Sequence, residues 1–167
     1  MLKINIKIRD QMNQNYWLMK VEPEAYSLET WKKEKVTYWD GVRNFMARNF
    51  MRDTMKKRDQ MFFYYSNSHP SGIVAQGQIV REGYPDFTAF DPQNIHFDPQ
   101  SDSQNPKWYM VDVQYVKECR PIISLKNLKE CKDLKNMMLF RMPRLSVQPV
   151  GEKEWKIIQQ LGHWINE

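Results

Sequence analysis

The amino-acid sequence predicts an α+β fold: a single small, strongly curved β-barrel with short helices packed around it. Three observations carry that expectation. The hydrophobic pattern gives several long strands interrupted by short helices in mixed order, not the regular alternation of strand and helix that builds a parallel sheet. A length of 167 residues suits one domain with a proper core. The composition, 41% hydrophobic, 27% charged and 13% aromatic, is that of a globular chain.

Residues 1–15 read as an N-terminal extension, disordered or an added edge strand, with the folded domain at 16–167. Leu2, Ile4, Ile6 and Ile8 alternate with Lys3, Asn5, Lys7 and Arg9 as a strand would, until QMNQN breaks the pattern. Met12 can itself serve as the native start. YWLMKVEP (16–23) is a strand stopped by Pro23. SLETWKKE (27–34) begins with a serine N-cap and is a short helix. VTYW (36–39) is a brief extended piece, and a helix follows from Gly41 to about Asp53, with Val42, Phe45, Met46 and Phe50 on its apolar side. KKRD (56–59) turns the chain into QMFFYYS (60–66), whose unbroken aromatic run marks a strand buried on both faces.

GIVAQGQIVRE (72–82) alternates strictly, with Ile73, Ala75, Gly77 and Ile79 sharing one face. KWYMVDVQYVKE (107–118) does the same, with Tyr109, Val111, Val113 and Tyr115 facing the core. The long loop between them is dense in Asp, Pro and aromatic residues. Loops of this length inside compact domains are usually functional, and its rings allow it to pack down. SLKNLKEC (124–131) and GEKEWKIIQQLG (151–162) are helices, and RLSVQPV (144–150) is a last extended segment. Trp17, Trp31, Trp108 and Trp155 fall within strand or helix patterns and read as core.

Several chemistries find no footing. The N-terminus lacks the apolar stretch of a signal peptide, and no apolar run has membrane-spanning length, so a cytoplasmic protein is expected, nuclear if the source is eukaryotic. Cys119 and Cys131 read as reduced thiols. His69, His96 and His163 show no metal-ligand spacing, and the six glycines form neither a phosphate loop nor a dinucleotide fingerprint. No cofactor and no metal are therefore expected. Asp86, Asp91, Asp98 and Asp102 do not match a calcium loop and read as turn caps.

The charge is uneven. Nine basic residues and three acids lie between Lys32 and Arg58, giving that segment +6 in a chain whose total is +5. A polyanionic partner suits this distribution. Within it, WDGVRNFMARNF (39–50) sets Trp39, Asp40 and Gly41 at the mouth of a helix that carries Arg43, Asn44 and Arg48. An exposed aromatic beside the positive end of a helix suits a nucleobase joined to a phosphate backbone. Read alone, the same residues serve equally well as a core tryptophan, a helix cap and a solvated arginine face. Arg48 and Arg52 can pair with Asp53 or the long loop as readily as with phosphate.

Taken with YWLMKVEPEAYS, FFYYSNS, YPDFTAFDP, FDPQS, PKWYMVDV and RLSVQPV, this stretch makes the chain resemble the EVE domain family from about Tyr16 to Leu161. That family is related to the YTH and PUA-like folds, so the resemblance implies a PUA-like curved barrel. It implies a non-catalytic reader of a modified cytosine or adenine in DNA or RNA; no feature of the sequence sets the oligomeric state, and a monomer is the expectation. By position, Lys20, Glu22, Trp39, Asp40, Asn44, Tyr65, Ser66, Asn67, Ser146 and Gln148 would form the base pocket. Arg43, Arg48, Lys107 and Arg144 would hold phosphates. Val21, Arg58 and Tyr65 stand where the family usually has Ser, Gly and His. An alternative follows from the related ASCH domains, which include amidohydrolases: Lys20 and Glu22, two apart on one strand, would then be the acid–base pair acting on modified nucleosides.

Overall fold

Alternation along the first strand assigns its side chains to two cores. In β1 (Tyr16–Val21), Trp17 and Met19 enter one hydrophobic cluster and Leu18 the other. The computed structural model describes residues 14–166; the expectation for residues 1–13 lies outside that range. After β1, Ser27 accepts the Thr30 amide at 3.1 Å and starts α1 (Leu28–Glu34), which buries Leu28 and Trp31. β2 (Val36–Trp39) follows directly.

The next helix departs from the expectation. It begins at Phe45, not Gly41. Gly41 turns the chain at φ 71, a left-handed conformation, and the Cβ of any other residue there would meet the His96 ring at 2.5 Å. Asn44 then caps α2 (Phe45–Asn49) by accepting the Ala47 amide at 3.0 Å. A π-helical turn, Phe50–Thr54, continues it. The late start and the wider turn rotate the helix, so Ala47 and Met51 are buried while Phe45 and Met46 face water.

β3 (Gln60–Tyr65) contributes Met61 and Phe63 to the first core and Phe62 and Tyr64 to the second, as its aromatic run predicts. β4 (Gly72–Pro85) and β5 (Tyr109–Ser124) are both longer than expected. Their ladder shifts register between Ile73 and Ala75. Ile73 accordingly enters the second core while Ala75 and Ile79 enter the first, so the predicted single face is divided. In β5, Met110 is fully buried whereas Tyr109 is half-buried. Ser124 and Asn127 cap α3 (Leu125–Glu130) reciprocally. The short α4 (Met138–Arg141), β6 (Val147–Val150), α5 (Glu152–Leu161) and β7 (Trp164–Ile165) complete the order.

The seven strands form one sheet in the order β2-β5-β4-β3-β1-β6, with β7 added on β5. β1 and β3 run parallel and the other pairs antiparallel. The expected α+β class holds, but the closed barrel does not: among the described residues no ladder joins β2 to β6. β6 suits an edge because Pro149 has no amide to donate.

Candidate nucleic-acid interface

A cleft of about 910 Å³ lies where the sheet fails to close. It is bordered by the whole of β2, by Lys20 and Val21 on β1, and by Ser146 just before β6. The end of β1 is tied to that last segment by the Lys20 amide, which donates to the Ser146 carbonyl at 2.8 Å. Tyr26, Tyr38, Trp39, Tyr84 and Phe87 supply aromatic walls, and Glu34, Asp40 and Asp112 supply carboxylates.

The turn after β2 is fixed by one buried acid. Asp86 has a side chain 0% exposed. It accepts the Gly41 amide at 3.0 Å, Arg43 Nη1 at 2.8 Å, the Thr88 amide at 2.9 Å and the Thr88 hydroxyl at 2.5 Å. Burial opposes its charge, but the donors of Thr88, Arg43 and Gly41 prevail and hold its carboxyl below the ordinary value. The Arg43 guanidinium also donates to the His96 carbonyl. One ion pair thus joins the WDGVRN turn to the long loop, and His96 is brought to the cleft wall. The loop packs down as expected, with Asp91, Asp98 and Asp102 each accepting an amide two residues on.

Two acids of the cleft are engaged with tyrosines. Tyr26 donates to Glu34 at 2.6 Å, and Tyr84 donates to Asp112 while the Arg81 guanidinium lies 3.5 Å from the Tyr84 ring centroid. Burial pushes the Asp40 carboxyl above its ordinary value; His96 partly offsets this and Asp86 adds to it. The Lys20 ammonium is likewise pushed down by burial, and it donates to the Pro143 carbonyl at 2.7 Å.

Six of the residues selected from the sequence meet in this cleft: Lys20, Trp39, Asp40, Arg43, Asn44 and Ser146. Trp39 differs in character from the exposed ring expected, being only 7% exposed and set edge-on against Phe63 at 5.6 Å. The others lie apart. Tyr65 accepts the Leu28 amide at 2.6 Å and so steadies the start of α1. Asn67 donates to Glu22 at 2.6 Å across the rim, and the Ser66 amide closes on the Val21 carbonyl at 2.9 Å. Gln148, 1% exposed, donates to the Leu145 carbonyl at 2.7 Å. Lys20 and Glu22, the acid–base pair of the hydrolase alternative, hold different partners.

The cationic residues also divide. Arg48 donates to the Lys107 carbonyl at 2.6 Å, and both side chains lie over the Phe45 ring, at 5.0 Å for Arg48 and 5.8 Å for Lys107. Phe45 is 54% exposed and stacks on Trp108 at 5.1 Å. Arg144 is exposed, and no described residue forms an ion pair or hydrogen bond with it. Much of the sequence's concentrated basic charge is answered in space: Lys32 pairs with Glu118, Arg43 with Asp86, Arg52 with Asp53 and Lys56 with Glu82.

Sequence reasoning missed Tyr26, Glu34, Arg81, Tyr84, Asp112 and His96, all of which line the cleft. One signal was present. Asp112 interrupts an otherwise apolar run, MVDV, in a strand flanked by buried Val111 and Val113. Among the described residues no helix is long and apolar enough to cross a membrane.

Comparison with known proteins adds a consistent set of relatives. Residues 15–161 match the family described as EVE domain. Thymocyte nuclear protein 1 of Mus musculus is 45% identical over 166 residues, spanning 88% of this chain and 73% of its own. A hypothetical protein from Leishmania major superposes with a TM-score of 0.87 at 40% identity, covering 90% of this chain and 95% of its own. The human THYN1 protein, solved in complex with 5-methylcytosine-containing DNA, superposes with a TM-score of 0.85 at 42% identity, covering 89% of this chain and 97% of its own.

Proposed function

As the chain belongs to the EVE domain family, we propose that it is a non-catalytic module that binds a modified nucleobase in DNA, 5-methylcytosine first among the candidates. The observation that carries this reading is a half-buried carboxyl, Asp40, set among aromatic walls in a cleft roomy enough to admit a nucleoside. Cytosine offers an exocyclic amine to an acceptor and a ring nitrogen to a donor. The Asp40 carboxylate can accept from the amine. Thymine offers a carbonyl where cytosine has its amine, and a carboxylate has no proton to donate to it, so the ionised acid discriminates against it. Val36, Val42 and Ala25 give a 5-methyl group apolar surface to lie against.

The likeness to a protein crystallised with 5-methylcytosine-containing DNA supports the choice of ligand. In this reading the base stacks within the Trp39 cleft while Lys20, Asn44 and Ser146 approach its edge or sugar. Stacking contributes about 1–3 kcal/mol per base, whereas taking a base out of a stack costs a few kcal/mol. Charged contacts must supply the rest. Arg48, Lys107 and Arg144 suit this role, because each lies outside the cleft. Arg43, whose donors are engaged with Asp86 and His96, acts by holding the turn. Glu22, Tyr65, Ser66, Asn67 and Gln148 act through the shape of the walls.

A thermal-shift panel tests the proposal, because a ligand that binds only the folded state raises the melting temperature. Oligonucleotides carrying 5-methylcytosine are expected to stabilise the protein more than the same strands with cytosine, thymine or adenine. Equal shifts across the panel would reject base recognition.

A further inference from the structure

The most exposed large hydrophobic side chain described in the fold is Ile95, with 92% of its surface in water. A single exposed isoleucine is ordinary on a protein surface. Its setting is not. Ile95 lies between two anchored residues in the loop whose Phe87 and His96 line the cleft. On one side, the Asn94 amide donates to the Asp91 carbonyl at 3.0 Å, and Asn94 Oδ1 accepts the His96 amide at 2.9 Å. On the other, the His96 carbonyl takes the Arg43 guanidinium and the His96 ring lines the cleft beside Gly41. The segment is fastened further along by the Asp98 amide, which donates to the Ala89 carbonyl at 3.0 Å, and by the Trp108 indole, which donates to Asp98 at 2.6 Å.

A loop free to collapse would fold such a residue onto nearby apolar surface. This one is held open by its own turns, with its apolar tip presented to solvent one residue from the cleft wall. The exposed apolar surface also concentrates here: Tyr38, Phe45, Phe87 and Phe97 border the same cleft or its loop. Three cations lie over the Phe45 and Trp108 rings at the end of this loop: Arg43 from the turn before α2, Arg48 from α2 and Lys107 from the segment before β5. A rigid apolar projection beside an aromatic cleft and among cations fits a polyanion whose interior is made of stacked flat rings.

We propose that Ile95 is an apolar wedge that enters a DNA duplex and fills the space vacated when a base moves into the cleft. The inference rests on the cleft reading above and deepens it, because it assigns duplex DNA as the form of the ligand. A base leaving a duplex opens a gap between its neighbours, and apolar side chains inserted at base steps are the general means of occupying such gaps. In single-stranded DNA the neighbours can close the gap themselves, so a wedge contributes little there. The pre-set turns around Asn94 mean that the side chain need not be ordered at the moment of binding.

The test measures binding by fluorescence anisotropy to a duplex containing one 5-methylcytosine and to the same modified strand alone. Ile95→Ala is expected to retain the wild-type melting temperature, to weaken duplex binding by about tenfold through the lost apolar burial, and to leave single-strand binding within about twofold. Ile95→Met, of similar bulk, is expected to recover most of the duplex affinity. Equal losses on both substrates, or no loss on the duplex, would overturn the wedge while leaving the cleft reading intact. A wild-type protein that binds methylated and plain DNA alike, in both forms, would reject the cleft reading and the wedge with it.

Discussion

Replacing Asp86 with alanine removes the acid on which the cleft's turn depends, and its cost follows from the contacts. Four hydrogen bonds converge on this carboxylate: from the Gly41 amide, the Arg43 guanidinium, and the amide and hydroxyl of Thr88. Breaking a buried ion pair by deleting one partner costs about 3–5 kcal/mol. Arg43 is 25% exposed and keeps the His96 carbonyl, so water can reach its freed donors and the lower end, about 3 kcal/mol, applies. At roughly 2–4 °C per kcal/mol for a chain of this size, the melting temperature falls by about 6–12 °C. Differential scanning calorimetry measures this directly, and the Arg43→Ala and double variants give the coupling energy. The carboxyl is held below its ordinary value, so its contribution is complete above the unfolded value near 3.8 and is lost as the pH falls through the lower folded value. The gap between wild type and Asp86→Asn therefore closes in strong acid. A loss below about 1 kcal/mol in Asp86→Ala, the range of a single ordinary hydrogen bond, would refute the claim that this acid clamps the turn.

Other outcomes follow from the same geometry. Asp40→Asn is expected to raise the melting temperature at neutral pH, because burial raises the folded carboxyl's value and penalises its charged form; the gain fades as the pH falls through that raised value and is gone below about 3.8. The same variant loses discrimination between cytosine and thymine strands in competition binding. Trp39→Ala removes a buried indole and is expected to cost about 3–5 kcal/mol, whereas Trp39→Phe keeps most of the stability and weakens base binding, as chemical denaturation and anisotropy together would report. Arg144→Ala is expected to lower the salt slope of duplex binding by about 0.9 with no change in melting temperature, while Arg43→Ala acts chiefly on stability; a reversed pattern would exchange their roles.

The parts of the fold that were legible are those where one local rule decides. The aromatic run of β3 required burial on both faces, and the two cores it joins are both present. Ser27 announced a helix start that its hydrogen bond confirms. The errors arose where local patterns compete. Val42, Phe45, Met46 and Phe50 have plausible helical spacing, but the Gly41 turn and the Asn44 cap delay α2, so Phe45 and Met46 face outward. Strict alternation in β4 was real, yet a bulge near Ile73 divided its face between two cores. Closure into a barrel depends on two edges that do not pair among the described residues, which no single strand's pattern discloses.

The candidate site was legible where its residues are contiguous. Trp39, Asp40, Arg43 and Asn44 belong to one turn, and all line the cleft. Tyr26 meets Glu34 across the length of α1 and Tyr84 meets Asp112 between β4 and β5, so the two pairs come from separate elements that only the fold gathers into one cleft. The charge of residues 32–58 misled for the same reason, because Glu118, Asp86 and Glu82, which neutralise much of it, lie far away in the chain.

The central claim, that a methylated cytosine occupies this cleft, is tested most directly by nuclear magnetic resonance on the complex with DNA whose 5-methyl group is carbon-13 labelled. The predicted result is an upfield shift of the methyl protons from the surrounding rings, with nuclear Overhauser contacts to residues such as Trp39 and Val42. A methyl resonance that keeps its stacked-duplex position, or that contacts only residues outside the cleft, would contradict it.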